Sequence, residues 1–206
     1  MPPTPDADPA PLPGAIGDPW LPGVIKMPDD EYLDGRLRHF SRPPLGIVMH
    51  GGYANWLYDF ESEAWLEGAK RTFSEVAETA ENAGVDIYLE NVFDEVPDHL
   101  LRLRAAVGSK RLGFCFDAGH AFLFSRLPVQ KWIHAFGPDL REMHIHDNRG
   151  LRDDHLPVGE GSINFRGVLL AAGDAGITPI LTVEPQREDH FLRSIASLRA
   201  ILADIA

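Results

Sequence analysis

Residues 112–120 read Leu-Gly-Phe-Cys-Phe-Asp-Ala-Gly-His, an apolar run that stops abruptly at polar side chains. The run is short and has no polar alternation, which is typical of a strand buried on both faces of a parallel sheet. Asp117 closes the run and His120 follows, so we interpret 117–120 as a tight turn carrying two potential ligands, in which Gly119 permits a backbone that a bulkier residue would hinder. Cys115 is expected to be an inert packing residue.

The same kind of apolar run recurs along the chain, separated each time by a stretch of helical periodicity. The other runs are residues 46–49, 86–89, 142–145 and 180–183. The amphipathic stretches are residues 61–83, 96–107, 128–136, 164–175 and 189–204. Gly84 and Gly176 stand where helix C-caps are expected. This alternation predicts right-handed βαβ units and a parallel sheet, and therefore an α/β fold.

Every predicted strand ends in a residue that can bind a metal or move a proton. These residues are His50, Glu90 with Asn91, Asp117, His144 with His146 and Asp147, and Glu184. The carboxyl ends of parallel strands lie on one face of the fold, where active sites form. The recurrence at five strands out of five indicates a shared site.

The strongest set within this group is Glu90, Asp117, His144 and Glu184. Three carboxylates converging on one imidazole would repel each other without a cation, so the set predicts a divalent metal. Its mostly oxygen donors favour Mn²⁺, Co²⁺ or Mg²⁺ over a structural zinc site. In the alternative reading, each residue is hydrogen-bonded separately to its own loop.

Four further residues are candidates for a second metal or for substrate contact. His120 could bind a second metal, hold a substrate hydroxyl or simply begin a helix. Asp153 and His155, two residues apart, could share a metal or belong to a solvated charge cluster. His50 could be a ligand or a satisfied strand-end histidine. We also assign Asn91 and His146 to substrate binding.

Residues 1–44 differ from the rest, because they hold eleven of the seventeen prolines. We predict a partly disordered leader there and one barrel-type domain over residues 45–206. The formal net charge of −12 argues against a nucleic-acid partner. The single cysteine, the absence of a secretory signal and the absence of a membrane-length apolar run together predict a cytoplasmic protein without a membrane partner.

Several motifs, taken in order, resemble the xylose-isomerase-like barrel superfamily. They are residues 89–91, 116–120, 143–148, 153–155 with 158–161, and 183–185. The resemblance implies a TIM-type barrel whose metal is held at the positions of Glu90, Asp117, His144 and Glu184. In the isomerase and epimerase branch, the positions of Glu90 and Glu184 also form the acid–base pair. In the endonuclease IV branch, zinc is also held at the positions of His50, His120, Asp153 and His155.

The sequence departs from the family's eight strands, because His50 falls on strand four when strands are counted back from Glu184. We therefore expect a partial barrel of about five βα units with the first three missing. Its open edges would be covered by the leader or by a homo-oligomeric partner, unless the gene product is truncated.

Three functions remain open from the sequence. The first is a metal-dependent sugar or sugar-phosphate isomerase or epimerase, acting on a small polyhydroxylated substrate. The second is a zinc phosphodiesterase resembling endonuclease IV, an AP endonuclease. The third is a shortened barrel that binds metal without catalysis.

Overall fold

The computed structural model describes residues 46–54 and 62–205. The proline-rich leader predicted for residues 1–44 lies outside this described part, so the domain boundary at residue 45 stays a prediction. None of the helices in the described part is long and apolar enough to span a bilayer.

Five parallel strands form a single sheet whose spatial order follows the chain. They are β1 (Gly46–His50), β2 (Asp86–Glu90), β3 (Leu112–Asp117), β4 (Leu140–Ile145) and β5 (Ile180–Val183). Each strand contains the apolar run predicted for it. In the register of the sheet, His50 lies beside Glu90 and Asp117 lies beside His144. The polar strand ends therefore lie at one edge, and the predicted partial (β/α) barrel of five units is confirmed.

Within residues 46–54 and 62–205, six helices accompany the strands, and five of them match the predicted amphipathic stretches. They are α1 (Ser62–Ala83), α2 (Asp98–Val107), α3 (Ala118–Phe124), α4 (Val129–Phe136), α5 (Phe165–Asp174) and α6 (Glu188–Ile205). A 3₁₀ turn, Gly137–Asp139, leads from α4 into β4. Gly84 and Gly176, just beyond α1 and α5, have φ angles of 72° and 69°, the left-handed conformation expected after a helix.

Helix α3 corrects the interpretation of residues 117–120 as a tight turn. These residues form the start of a short helix, in which Asp117 is the N-cap and its Oδ1 accepts a hydrogen bond from the backbone N–H of His120 at 2.7 Å. The helix has only seven residues, which is too short for a recognisable 3.6-residue periodicity. His120 therefore lies in the first turn of a helix, and its predicted roles as a metal ligand or substrate contact stay predictions.

The core consists of aromatic and aliphatic side chains between the sheet and the helices. Its largest fully buried members include Phe114, Phe116, Trp132, Phe136 and Phe165. The rings of Phe114 on β3 and Phe136 on α4 stack with centroids 4.2 Å apart. Burial of such rings is the main apolar contribution to stability and fixes the strands that carry the polar ends.

Candidate metal centre at the strand ends

The residues predicted as the principal ligands come together at the carboxyl ends of β2 to β5. We call Glu90, Asp117, His144 and Glu184 the strand-end cluster. Nδ1 of His144 lies 3.1 Å from Oε1 of Glu90, 3.1 Å from Oε1 of Glu184 and 3.8 Å from Oδ2 of Asp117. Glu184 follows β5, where its backbone N–H continues the sheet by donating to the carbonyl of Ile145.

The donors of this cluster fit a divalent cation. Glu90, Asp117 and His144 are buried, and unshielded carboxylates at such spacing repel each other strongly in a medium from which water is excluded. Three carboxylates and one imidazole nitrogen supply the oxygen-rich set that Mn²⁺, Mg²⁺ or Co²⁺ prefers, and zinc accepts the same donors. The three carboxylates and Nδ1 of His144 therefore fit a divalent cation, and these donors suit several metals.

The two glutamates of the cluster have pKa values displaced in opposite directions. Burial would raise the pKa of Glu90, but hydrogen bonds to His144 and His50 hold it well below the ordinary value. Burial raises the pKa of Glu184; the charge of His144 opposes this rise and the charges of Asp117 and Glu90 add to it. Oppositely displaced carboxyls are the arrangement that acid–base catalysis uses.

Asn91 positions Asp117 through the main chain. Its amide nitrogen donates to the carbonyl of Asp117 at 2.9 Å, and its side-chain oxygen accepts from the backbone N–H of Asp117 at 2.9 Å. Since Asn91 is buried and both ends of its amide are engaged, the structure favours a positioning role over the predicted substrate contact.

A second group of metal-binding side chains lies beside the first. We call His120, His146, Asp153 and His155 the loop cluster, because three of its members lie between β4 and α5. One ligand atom from each member lies within 4.8 Å of the others. Asp153 Oδ2 is 3.3 Å from Nε2 of His120 and 3.1 Å from Nε2 of His155. Burial works to lower the pKa of His120, but Asp153 and the neighbouring carboxylates raise it to about 9.

His146 joins the loop cluster and also links it to the strand-end cluster. Its Nε2 lies 3.1 Å and 3.0 Å from the two carboxylate oxygens of Asp117, and its ring stacks on that of His155 at 3.8 Å. Nδ1 of His146 has no hydrogen-bond partner and is 3.5 Å from Asp153. A buried ring nitrogen in this state is free to bind a metal, and the substrate contact predicted for His146 stays a prediction.

The backbone of His155 is unusual. It is the one non-glycine residue among those described with a positive φ, at 44°. Its Nδ1 lies 3.0 Å from the carbonyl oxygen of Glu184, which ties the loop to the end of β5. A non-glycine residue is held in this region only where its surroundings fix it, as commonly occurs at functional sites.

His50 is brought only to the margin of the strand-end cluster. Its Nε2 lies 3.3 Å from Oε2 of Glu90, but its side chain is 64% exposed because β1 is an end strand of the described sheet. Every member of both clusters is a residue that the sequence singled out, and the metal and substrate roles predicted for them stay predictions.

These features agree with a family model. The xylose isomerase-like TIM barrel model matches residues 41–201. The chain belongs to this family. The match covers more than three quarters of the chain, so it includes both clusters.

Relatives identified by sequence comparison carry different names. An uncharacterized protein of Methanocaldococcus jannaschii is 35% identical over 164 residues, which are 76% of this chain and 56% of the relative. "Fructoselysine 3-epimerase" of Escherichia coli O157:H7 is 34% identical over 54% of this chain and 42% of its own. "Probable endonuclease 4" of Mycobacterium leprae is 29% identical over 73% and 63%. This chain spans about two fifths to three fifths of the length of these relatives.

Solved structures show the same likeness. A D-tagatose 3-epimerase-like protein is 32% identical with a TM-score of 0.68, over 77% of this chain and 62% of that one. A Thermus thermophilus protein soaked with ZnCl₂ is 27% identical with a TM-score of 0.60, over 76% and 61%. This chain is thus similar both to proteins named as sugar epimerases and to one named as a probable endonuclease.

Proposed function

We propose that this protein is a divalent-metal-dependent isomerase or epimerase of a sugar or sugar phosphate. The observation that carries the proposal is the pair of glutamates, Glu90 and Glu184, each 3.1 Å from the same nitrogen of His144 and oppositely displaced in pKa. The similarity to a D-tagatose 3-epimerase-like structure and to a fructoselysine 3-epimerase supports it.

A cation at the strand-end cluster would polarise a substrate carbonyl and make the adjacent C–H more acidic. The ionised member of the pair, Glu90, removes the proton from that carbon. Glu184, entering the cycle with a proton, returns it to the other face or to the neighbouring carbon. His120, a member of the loop cluster whose Nδ1 lies 3.6 Å from both Glu90 and Asp117, steadies a substrate oxygen.

The proposal is tested with purified full-length chain, supplied with Mn²⁺ or Co²⁺ and a panel of ketohexoses and their phosphates in ²H₂O. We expect a product isomer carrying solvent deuterium at the carbon that reacts. Glu184→Gln should abolish formation of the product isomer while much of the metal stays bound. The matched control is Glu188→Gln, an exposed glutamate at the start of α6, which should keep full activity. Undiminished turnover in Glu184→Gln would refute the acid–base assignment.

The second candidate, a zinc phosphodiesterase resembling endonuclease IV, is favoured by the loop cluster. Three histidines and an aspartate beside the strand-end cluster offer donors for a further zinc ion. The net charge of −12 weakens it, because binding of DNA relies on cationic side chains. Two or three Zn²⁺ per chain together with cleavage of abasic DNA would favour the nuclease, whereas one Mn²⁺ or Co²⁺ with ketose turnover favours the epimerase. Metal binding with neither activity would favour the non-catalytic alternative.

A further inference from the structure

A second layer of side chains lies directly beneath the strand-end cluster. Side chains two residues apart on a strand point to the same face of the sheet, so the residue two before each cluster member lies under it. The four residues of this lower layer are Tyr88, Cys115, Glu142 and Thr182. Interiors of parallel barrels are filled mainly by branched apolar side chains. A carboxylate at this depth, as in Glu142, is unusual because burying it without a partner costs free energy.

Glu142 is held in this layer from the neighbouring strand. The hydroxyl of Thr182 on β5 donates to Oε1 of Glu142 at 2.5 Å. The same oxygen lies 3.6 Å from Nε2 of His144, and the Glu142 side chain is 13% exposed. Burial alone would raise the pKa of Glu142, but the contacts with His144 and Thr182 outweigh it and the pKa is lowered. The contacts with Thr182 and His144 direct the Glu142 carboxylate at the Nε2 side of the His144 ring.

The two nitrogens of His144 face different groups. Nδ1 faces Glu90, Asp117 and Glu184, the side where a cation would bind. Nε2 faces Glu142, on the other side of the ring. A neutral imidazole binds a metal through one nitrogen and keeps its proton on the other, and a carboxylate near the protonated nitrogen fixes the tautomer and makes the ligand more basic.

We propose that Glu142, oriented by Thr182, is a positioning residue that keeps the proton of His144 on Nε2 and so presents the lone pair of Nδ1 to the cation. This inference rests on the cation site of the proposed function but holds equally for epimerase and nuclease. Cys115 is the other group of the lower layer that contacts His144. A thiol is a weaker hydrogen-bond acceptor than a carboxylate, so we assign the positioning role to Glu142 and not to Cys115.

The first test measures Mn²⁺ binding to the full-length chain by titration calorimetry. We expect Glu142→Ala to weaken Mn²⁺ binding by about 10- to 100-fold, the usual effect of losing a carboxylate behind a ligand histidine. Glu142→Gln keeps the shape of the side chain and should weaken Mn²⁺ binding less than Glu142→Ala does. Thr182→Val should weaken Mn²⁺ binding less than either Glu142 variant. The charge-matched control is Asp86→Asn, which removes a carboxylate from the same sheet face near its opposite end and should leave the affinity within about twofold. Wild-type affinity in both Glu142 variants would overturn the proposal.

The second test separates positioning from mere packing and does not need a bound cation. In ¹⁵N-histidine-labelled protein, the Nε2–H proton of His144 should exchange slowly with water in the wild type. The exchange should be at least about tenfold faster in Glu142→Ala and nearly unchanged in Cys115→Ala, because the ionised carboxylate is the stronger acceptor. Equal exchange in the wild type and Glu142→Ala refutes this inference. Absence of Mn²⁺ binding by the wild type refutes the proposed function instead, with the exchange result still deciding the role of Glu142.

Discussion

Asp147 shows how one buried side chain holds a whole loop. Its Oδ1 accepts from the backbone N–H groups of Asn148 and Ile163, and its Oδ2 accepts from those of Gly159 and Gly161, at 2.9–3.1 Å. The carboxylate is fully buried, so these four donors replace its hydration. The loop that contributes Asp153 and His155 is thereby fixed to the end of β4.

We expect Asp147→Asn to destabilise the protein, because an amide NH₂ would face two backbone N–H groups in place of an acceptor oxygen. The cost should be about 3–5 kcal/mol, as for other broken buried charge networks. It can be measured by chemical denaturation, with hydrogen exchange over residues 147–163 reporting the loop. The control is Asp154→Asn in the same loop, whose ion pair with Arg152 is long and solvent-accessible and should contribute little. Equal effects of the two variants would contradict the anchoring role.

A second residue, Asp94, predicts a pH dependence. Burial raises the pKa of its carboxyl to about 7, against the smaller opposing effect of the Val92 backbone N–H, and its Oδ1 has no hydrogen-bond partner. The unfolded chain has a pKa of about 3.9, so between these values the folded protein holds the extra proton and the contribution to stability falls as pH rises.

Asp94→Asn should therefore be stabilising by up to about 4 kcal/mol at pH 8 and by only about 1.5 kcal/mol at pH 5. Thermal unfolding of the variant and the wild type at both pH values measures the difference. Asp174→Asn, an exposed aspartate at the end of α5, should show no such dependence. A stabilisation equal at pH 5 and pH 8 would show that the Asp94 carboxyl is not displaced as described.

At the scale of elements, helix α3 is packed against the end of β4 through a position that admits no side chain. A Cβ on Gly119 would lie 2.1 Å from Cε1 of the His146 ring. The glycine is thus required by close packing, and its φ is not in the left-handed region. The sequence predicted that Gly119 mattered but could not identify the ring that excludes a side chain there.

We expect Gly119→Ala to cost about 1–3 kcal/mol and to move the His146 ring away from Asp117. Gly173→Ala is the matched control, because a Cβ there meets nothing within 4 Å and α5 should gain about 0.5–1 kcal/mol. Urea denaturation measures both variants. Similar signs for the two changes would mean that α3 shifts to accommodate the methyl group.

For the whole molecule, we expect a divalent cation to be a main source of stability. The carboxylates of the strand-end cluster repel each other in the folded chain, and a ligand at about 100 times its Kd adds about 2.7 kcal/mol. For a chain of this length, that corresponds to an increase in Tm of about 5–10 °C. Thermal scans with Mn²⁺ and with EDTA measure the shift, and Asp117→Asn should reduce it sharply. An equal shift in that variant would place the cation elsewhere.

For the part of the chain that the structure describes, the sequence by itself predicted the strands, five of the six helices and the polar residues that meet at the strand ends, whose roles stay predictions. It could do so because these signals are local: an apolar run that ends in a polar residue identifies both a parallel strand and the edge at which its side chain lies. Helix α3 was not predicted, because seven residues are too few to show the 3.6-residue periodicity of apolar side chains.

Only the tertiary structure decided which side chains face each other. In the structure, the His146 ring contacts the Asp117 carboxylate, and the side-chain amide of Asn91 is hydrogen-bonded to the Asp117 backbone. Glu142 lies on the Nε2 side of the His144 ring. These relations join residues on different strands, and they depend on strand register and on the direction of each ring or carboxylate. Such distances are set by packing of the whole sheet, so no local pattern in the sequence records them.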